Sequence, residues 1–326
     1  MGRPTTVLRG IAASLGLLAL ILNLPAAAAE DVRPKSAPAA PAAYVTQAPI
    51  VMLKDLDTGK VLFSRGADKR FAPASMAKVM TAYVVLDLIK RGQLSRDKLL
   101  TVEEATWKTW KTWSARSRSS SMFLSPGEKV SVDDLLKGLI TVSGNDAAAV
   151  LAVGIDGSEA AFVKRMNGIA ARIGMSSSNF GTPSGWPDGG VTKVSAGDMV
   201  LLAERLIRDH PGDYARYFSI PKFRHGTSPE GKPIIQANRN PILGRFAGAD
   251  GLKTGHTSEA GYCFLGSAKR DGRRLIMIVA GMPTEKARRD EAERLMSWGF
   301  ADGGAGTTVQ DRRSAASKDR AAATRR

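Results

Sequence analysis

Residues 75–91, SMAKVMTAYVVLDLIKR, set apolar side chains on nearly every face of a helix: Met76, Val79, Met80, Tyr83, Val84, Val85, Leu86, Leu88 and Ile89. A helix at the surface keeps one polar face, so a helix that is apolar all round has to be enclosed. The chain must therefore wrap further layers around this segment, and its 326 residues are enough to build such a core. Gly92 supplies a stop for the helix. Two polar side chains, Ser75 and Lys78, stand at its entrance.

The layers can be read from the flanking sequence. APIVMLKDLDTGKVLFS is two apolar runs around Asp-Thr-Gly, which predicts a hairpin. To about residue 215 the stretches SVDDLLKGLITV, NDAAAVLAVGI, GSEAAFVKRMNGIAARIG and SAGDMVLLAERLIRDH combine polar starts with helical spacing. GYCFLGSAKRDGRRLIMIVAGM then reads as strand, Asp-Gly turn, strand, and a helix begins at Thr284. The expected fold class is α/β: an antiparallel sheet from the N- and C-terminal segments, flanked by helices, plus a mostly helical lobe. A cleft between sheet and lobe is the natural site.

This folded domain is expected over 44–301. Before it, residues 1–29 have the layout of a secretory signal peptide: two arginines, a short apolar core, then PAAAAE, with cleavage after Ala29. An uncleaved anchor is the alternative, although the apolar run is shorter than the roughly 20 residues of a membrane span. Residues 30–43 form a Pro/Ala-rich linker, and 302–326 a basic tail expected to be disordered. An exported protein of net charge +16 points to an anionic envelope or acidic substrate rather than to nucleic acid, or to no partner for the surface at all. One cysteine, Cys263, cannot form an internal disulfide, and its apolar setting predicts a small buried side chain. Three histidines, His210, His225 and His256, make a Ser-His-Asp triad and a metal site poor expectations. Trp107, Trp110 and Trp113 recur at three-residue intervals, a stripe read as core-facing, with a glycan- or membrane-facing surface as the alternative.

Ser-x-x-Lys occurs three times, at Ser75/Lys78, Ser95/Lys98 and Ser219/Lys222. Only Ser75/Lys78 opens a buried helix, where free N–H groups favour a developing oxyanion and Lys78 shares a face with Ser75. A serine needs a neighbour to take its proton, and burial or a nearby cation makes a lysine able to do so. Ser143 and Asn145 form Ser-x-Asn in ITVSGNDAAA, and Lys253-Thr254-Gly255 in GLKTGHT is the chain's single Lys-Thr-Gly. These three motifs in this order define the serine β-lactamase and penicillin-binding-protein group.

With SMFLSPGEKVSVDDLLKGLITVSGNDAA, NRNPIL, DGLKTGHTSEAGY and the closing WGF, residues 44–301 resemble the D-alanyl-D-alanine carboxypeptidases among the low-molecular-mass penicillin-binding proteins. The resemblance implies a β-lactamase/transpeptidase-like fold. It also implies removal of the terminal D-alanine from peptidoglycan stem peptides through an acyl-enzyme, without cofactor or metal, and covalent inhibition by β-lactams. Ser75 would be the nucleophile and Lys78 its base, Ser143 and Lys253 the proton relay to the leaving D-alanine, and Asn145 the holder of the substrate amide. Backbone N–H groups of Ser75 and His256 would form the oxyanion hole. Thr254 and Arg288 would hold the substrate's terminal carboxylate, and Gly255, which ends the Lys-Thr-Gly motif, would belong to the same substrate-binding set. Arg288 has the family's spacing of 35 residues from Lys253, and Arg289 competes by one position.

Each residue also has a plainer reading: Ser75 as a helix cap, Lys78 and Arg288 as solvated charges, Asn145 as a helix-start residue, the His256 side chain as structural. A D,D-endopeptidase, a weak β-lactamase and a non-catalytic envelope-binding protein are the rival functions. Against fast β-lactam turnover, no Glu-x-x-Leu-Asn segment lies between Asn145 and Lys253. Many relatives continue into a C-terminal β-sandwich and an amphipathic anchor. The Arg-rich tail here has no apolar face, which argues against membrane attachment of that kind.

Overall fold

The structure, a computed structural model, describes residues 43–117 and 120–301. The expected signal peptide, nearly all of the linker and the tail lie outside the described residues. Strands β1 (Ile50–Asp55) and β2 (Val61–Arg65) form the expected first hairpin. Helix α1 (Lys78–Lys90) follows, with ten of its thirteen residues buried, so the all-round apolar segment is indeed enclosed.

The lobe begins with β3 (Leu99–Thr101), α2 (Glu104–Ser117) and β4 (Lys129–Ser131), where β3 and β4 pair antiparallel. Next come α3 (Val132–Lys137), α4 (Asn145–Asp156), α5 (Glu159–Ile173), α6 (Ala196–Asp209) and α7 (Pro211–Tyr217). Ser131, Ser158 and Ser195 cap α3, α5 and α6 by accepting from backbone N–H groups three residues on, at 3.1 Å in each case. The small hairpin of β5 (Lys222–Thr227) and β6 (Pro233–Ala237) goes beyond the elements the sequence predicts, as does β3–β4; neither has a long alternating pattern to announce it. In α2, Trp110 is buried, and half-buried Trp107 donates its indole N–H to the Leu124 carbonyl at 3.0 Å. Both fit the core-facing reading; the Trp113 side chain lies outside the described residues.

Strands β7 (Ala249–Thr257), β8 (Gly261–Arg270) and β9 (Arg273–Met282) complete one antiparallel sheet of order β2-β1-β9-β8-β7. The β8–β9 turn uses Asp271 and Gly272 at φ +48° and +82°, the paired positive angles that an Asp-Gly hairpin supplies. Strand β9 is apolar without alternation because both its faces are covered. Leu275, Met277 and Val279 pack with Ala292, Leu295 and Met296 of α8 (Glu285–Ala301), while Ile276, Ile278 and Ala280 join the core around α1. Gly299, in the closing WGF, lets α8 sit close: a Cβ there would come within 2.6 Å of Leu53. Cys263 is fully buried on β8, and burial pushes its thiol up to about 11. No helix of the described residues is long and apolar enough to cross a membrane.

Candidate active site

Sequence spacing put Ser75 and Lys78 on one α-helical face, but the backbone differs in detail. Residues Ala74–Ala77 form a 3₁₀ turn, and α1 begins only at Lys78. Three residues make one 3₁₀ turn, so positions i and i+3 eclipse and the two side chains align more directly than on an α-helix. Ala74 sits at φ +48°, a left-handed conformation that costs a non-glycine residue about 1–2 kcal/mol.

Two glycines hold this turn from outside. A Cβ on Gly255 would lie 2.4 Å from the Pro73 carbonyl oxygen, and one on Gly185 would lie 2.0 Å from that of Ala74. Glycine at the third position of Lys-Thr-Gly thus has a mechanical reason: it lets the edge strand β7 press against the turn that carries Ser75.

Lys78 is fully buried, and its Nζ lies 2.9 Å from Ser75 Oγ, 2.6 Å from Asn145 Oδ1 and 2.7 Å from the Ser184 carbonyl oxygen. Burial first, then the positive charge of Arg239, brings its pKa down to about 7, with Asp146 opposing. Asn145 reaches Lys78 because it is the first residue of α4, beyond a left-handed Ser143 at φ +65°. Ser143 Oγ is buried and has no hydrogen-bond partner among the described residues. Lys253 of β7 is buried too, with its Nζ 3.3 Å from the Thr254 carbonyl oxygen. Burial, then Lys78, Arg239 and Arg288, hold it well below the usual lysine range.

These side chains border one cleft of about 460 Å³. Ser75, Ser143, Asn145, Thr254, Gly255, His256 and Arg288 line it, and Lys78 and Lys253 lie buried behind. Every predicted site residue therefore meets at one place. Arg288, not Arg289, faces the cleft; Arg289 is half-buried and pairs with Asp290. His256 is exposed and stacks on Tyr262 at 3.9 Å. His210 packs edge-on to Tyr83 and His225 bonds Glu128, so neither serves Ser75. No cluster of metal-ligating side chains occurs among the described residues.

Three further residues, none of them part of the three motifs, bear on the site. Asp146, buried beside Asn145, accepts from Ser121 Oγ at 2.7 Å and from the N–H groups of Met122 and Leu124, fastening that segment to α4. Arg239 lines the cleft, bonds Ser120 Oγ and depresses both lysines. Glu285 lines it beside Arg288. Two signals existed: an acid directly after the motif Asn145, and an arginine inside NRNPIL.

The family described as D-alanyl-D-alanine carboxypeptidase matches residues 35–284. The D-alanyl-D-alanine carboxypeptidase DacA of Haemophilus influenzae is 39% identical over 253 residues, covering 77% of this chain and 61% of the relative. The chain thus spans about three fifths of that relative's length. Among solved structures, penicillin-binding protein 5 from Haemophilus influenzae matches with a TM-score of 0.72 at 38% identity, covering 80% of this chain and 73% of that one. Penicillin-binding protein D2 from Listeria monocytogenes, in an ampicillin-bound form, matches with a TM-score of 0.66 at 33% identity, covering 79% and 99%.

Proposed function

Because the chain belongs to the D-alanyl-D-alanine carboxypeptidase family, we propose that it is a serine peptidase that removes the terminal D-alanine from peptidoglycan stem peptides. One observation carries this reading: a buried lysine with a pKa near 7 lies 2.9 Å from a serine hydroxyl, at the base of a cleft whose wall presents a buried arginine. A base works best when its pKa is near the working pH, and an arginine can tell a free chain end from an internal amide.

The substrate's terminal carboxylate binds Arg288 and Thr254, and its penultimate amide binds Asn145. Neutral Lys78 takes the Ser75 proton as Ser75 Oγ attacks the scissile carbonyl. The backbone N–H groups of Ser75 and His256 stabilise the oxyanion. Collapse breaks the C–N bond, and the leaving amine takes a proton through Ser143 and Lys253. Water then hydrolyses the ester and frees Ser75. Penicillin is a covalent inhibitor on the same path, because its strained amide acylates Ser75 and leaves slowly. The enzyme works outside the cytoplasmic membrane, where its substrate lies, after export by the leader at 1–29.

The test is D-alanine release from a peptide ending in D-Ala-D-Ala, wild type against Ser75→Ala. The expected result is release by the wild type and a loss of roughly a millionfold in the variant, as for removal of a serine nucleophile elsewhere. Release by Ser75→Ala at the wild-type rate removes Ser75 from the mechanism. A folded wild type that neither releases D-alanine nor gains the mass of penicillin is a binding protein instead.

A further inference from the structure

Among the described residues, three charged side chains line the cleft: Arg239, Arg288 and Glu285. Glu285 is the one carboxylate among them. It accepts from one terminal nitrogen of Arg288 at 2.9 Å, and the two partners differ sharply in exposure: the Arg288 side chain is 4% exposed and that of Glu285 is 72%. Burial fixes the arginine, while the carboxylate stands in water on the first turn of α8. The fork is also only partly used, because Arg288 Nε is buried and has no hydrogen-bond partner among the described residues. A guanidinium binds a carboxylate best through two parallel bonds, and Glu285 makes one.

We propose that Glu285 is an intramolecular stand-in for the substrate's terminal carboxylate: it occupies Arg288 in the empty enzyme and swings into solvent when a peptide's free chain end takes its place. The inference rests on the carboxypeptidase reading and adds a specificity-determining residue to it. An ion pair whose carboxylate stands in water is weak, so exchanging that carboxylate for another costs an incoming ligand little. That cost still falls hardest on ligands with nothing else to offer. A small anion must displace Glu285 with its charge alone, whereas a peptide also gains the contacts along β7 and α4. Glu285 therefore screens the positive cleft from adventitious anions, Arg239 included, since its charge acts on that guanidinium as well.

The decisive variant is Glu285→Gln in the full chain; the side chain is exposed, so folding is not at stake. Three readouts are compared with wild type: KM and kcat for a D-Ala-D-Ala peptide, the second-order acylation rate with benzylpenicillin, and the same rate with penicillin methyl ester, which lacks the carboxylate. Removing this solvent-facing carboxylate should lower KM and raise the benzylpenicillin rate by about twofold to fivefold, leaving the methyl ester rate where it was. Sodium acetate should inhibit the variant at correspondingly lower concentration, and Glu285→Asp should restore part of the wild-type behaviour. An unchanged or raised KM in an active enzyme overturns the stand-in alone, as does an equal gain with the methyl ester. A wild type that neither releases D-alanine nor is acylated overturns the carboxypeptidase reading and the stand-in together.

Discussion

Around β1 and β9, Asp55 accepts hydrogen bonds from the N–H groups of Asp57 and Thr58 and from Arg273, and Glu291 accepts from Tyr44, Thr46 and Arg294. Around β7, by contrast, Lys78, Lys253, Arg239 and Arg288 act on one another at close quarters, with Asp146 and Glu285 the carboxylates that oppose them. There, too, Ser143 Oγ and Arg288 Nε are buried without hydrogen-bond partners among the described residues. Both regions flank strands of one sheet, and both bury charged groups. In the first, each carboxylate's neighbours are donors that lower its energy. In the second, the cations repel and the orphaned atoms are left for something else to satisfy. Folded proteins pair buried polar groups wherever they can, so a cluster that violates this within a cleft marks the place where stability has been spent on chemistry.

Breaking the crowded region should cost activity far more than stability. Lys78→Met is expected to slow penicillin acylation of Ser75 by about 10³-fold, within the range for loss of a general base, as read by mass spectrometry over time. The pH profile sharpens this. With Lys78 at about 7, its neutral form grows as pH rises through 7, so the wild-type kcat/KM should fall about tenfold per unit below that point. Stability carries the same signature. From about 7 up to the ordinary lysine value of 10.5, the unfolded chain holds a proton on Lys78 that the folded chain lacks. Wild-type stability should therefore rise with pH across that window, and denaturant titrations of Lys78→Met should lose this contribution.

Gly255→Ala tests the contact between strand and turn without touching a charge. The added methyl must push against the Pro73 carbonyl, so the turn bearing Ser75 has to shift. Overpacking of this kind costs about 1–3 kcal/mol, and displacement of a nucleophile by about an ångström costs roughly a hundredfold in rate. Acylation rate and thermal midpoint, measured on one sample, give both. A variant as fast as wild type would mean that the turn tolerates displacement.

The paired region should fail the other way. Asp55→Ala leaves Arg273 and two backbone N–H groups without their acceptor, a loss of about 2 kcal/mol in urea denaturation, with kcat/KM unchanged because Asp55 lies outside the cleft. Burial tends to raise the Asp55 pKa, but the Thr58 N–H and Arg273 outweigh it and hold the carboxyl below its usual value. Its contribution is thus fully present above the usual carboxylate pKa and is lost as pH falls through the lowered one. Loss of activity in this variant under native conditions would break the contrast between the two regions.

Much of this was written in local pattern. The all-round apolar run over 75–91 required an enclosed helix, Asp-Gly required the β8–β9 turn, and serines at 131, 158 and 195 marked helix starts, because each depends on neighbours in the chain. Ser75, Lys78, Ser143, Asn145 and Lys253 were legible as motifs, and Arg288 by its spacing. The hairpins β3–β4 and β5–β6 were not, since strands this short are held by what they pack against rather than by a pattern of their own. Only the tertiary structure chose between Arg288 and Arg289, brought Arg239 and Asp146 within electrostatic reach of Lys78, and set Glu285 on Arg288. The physical reason is distance. Helix spacing and turn chemistry act over a few residues and can be read along the chain. The charges that set a buried lysine's pKa come from segments up to 161 residues away, and their effect exists only once the fold has expelled the water between them.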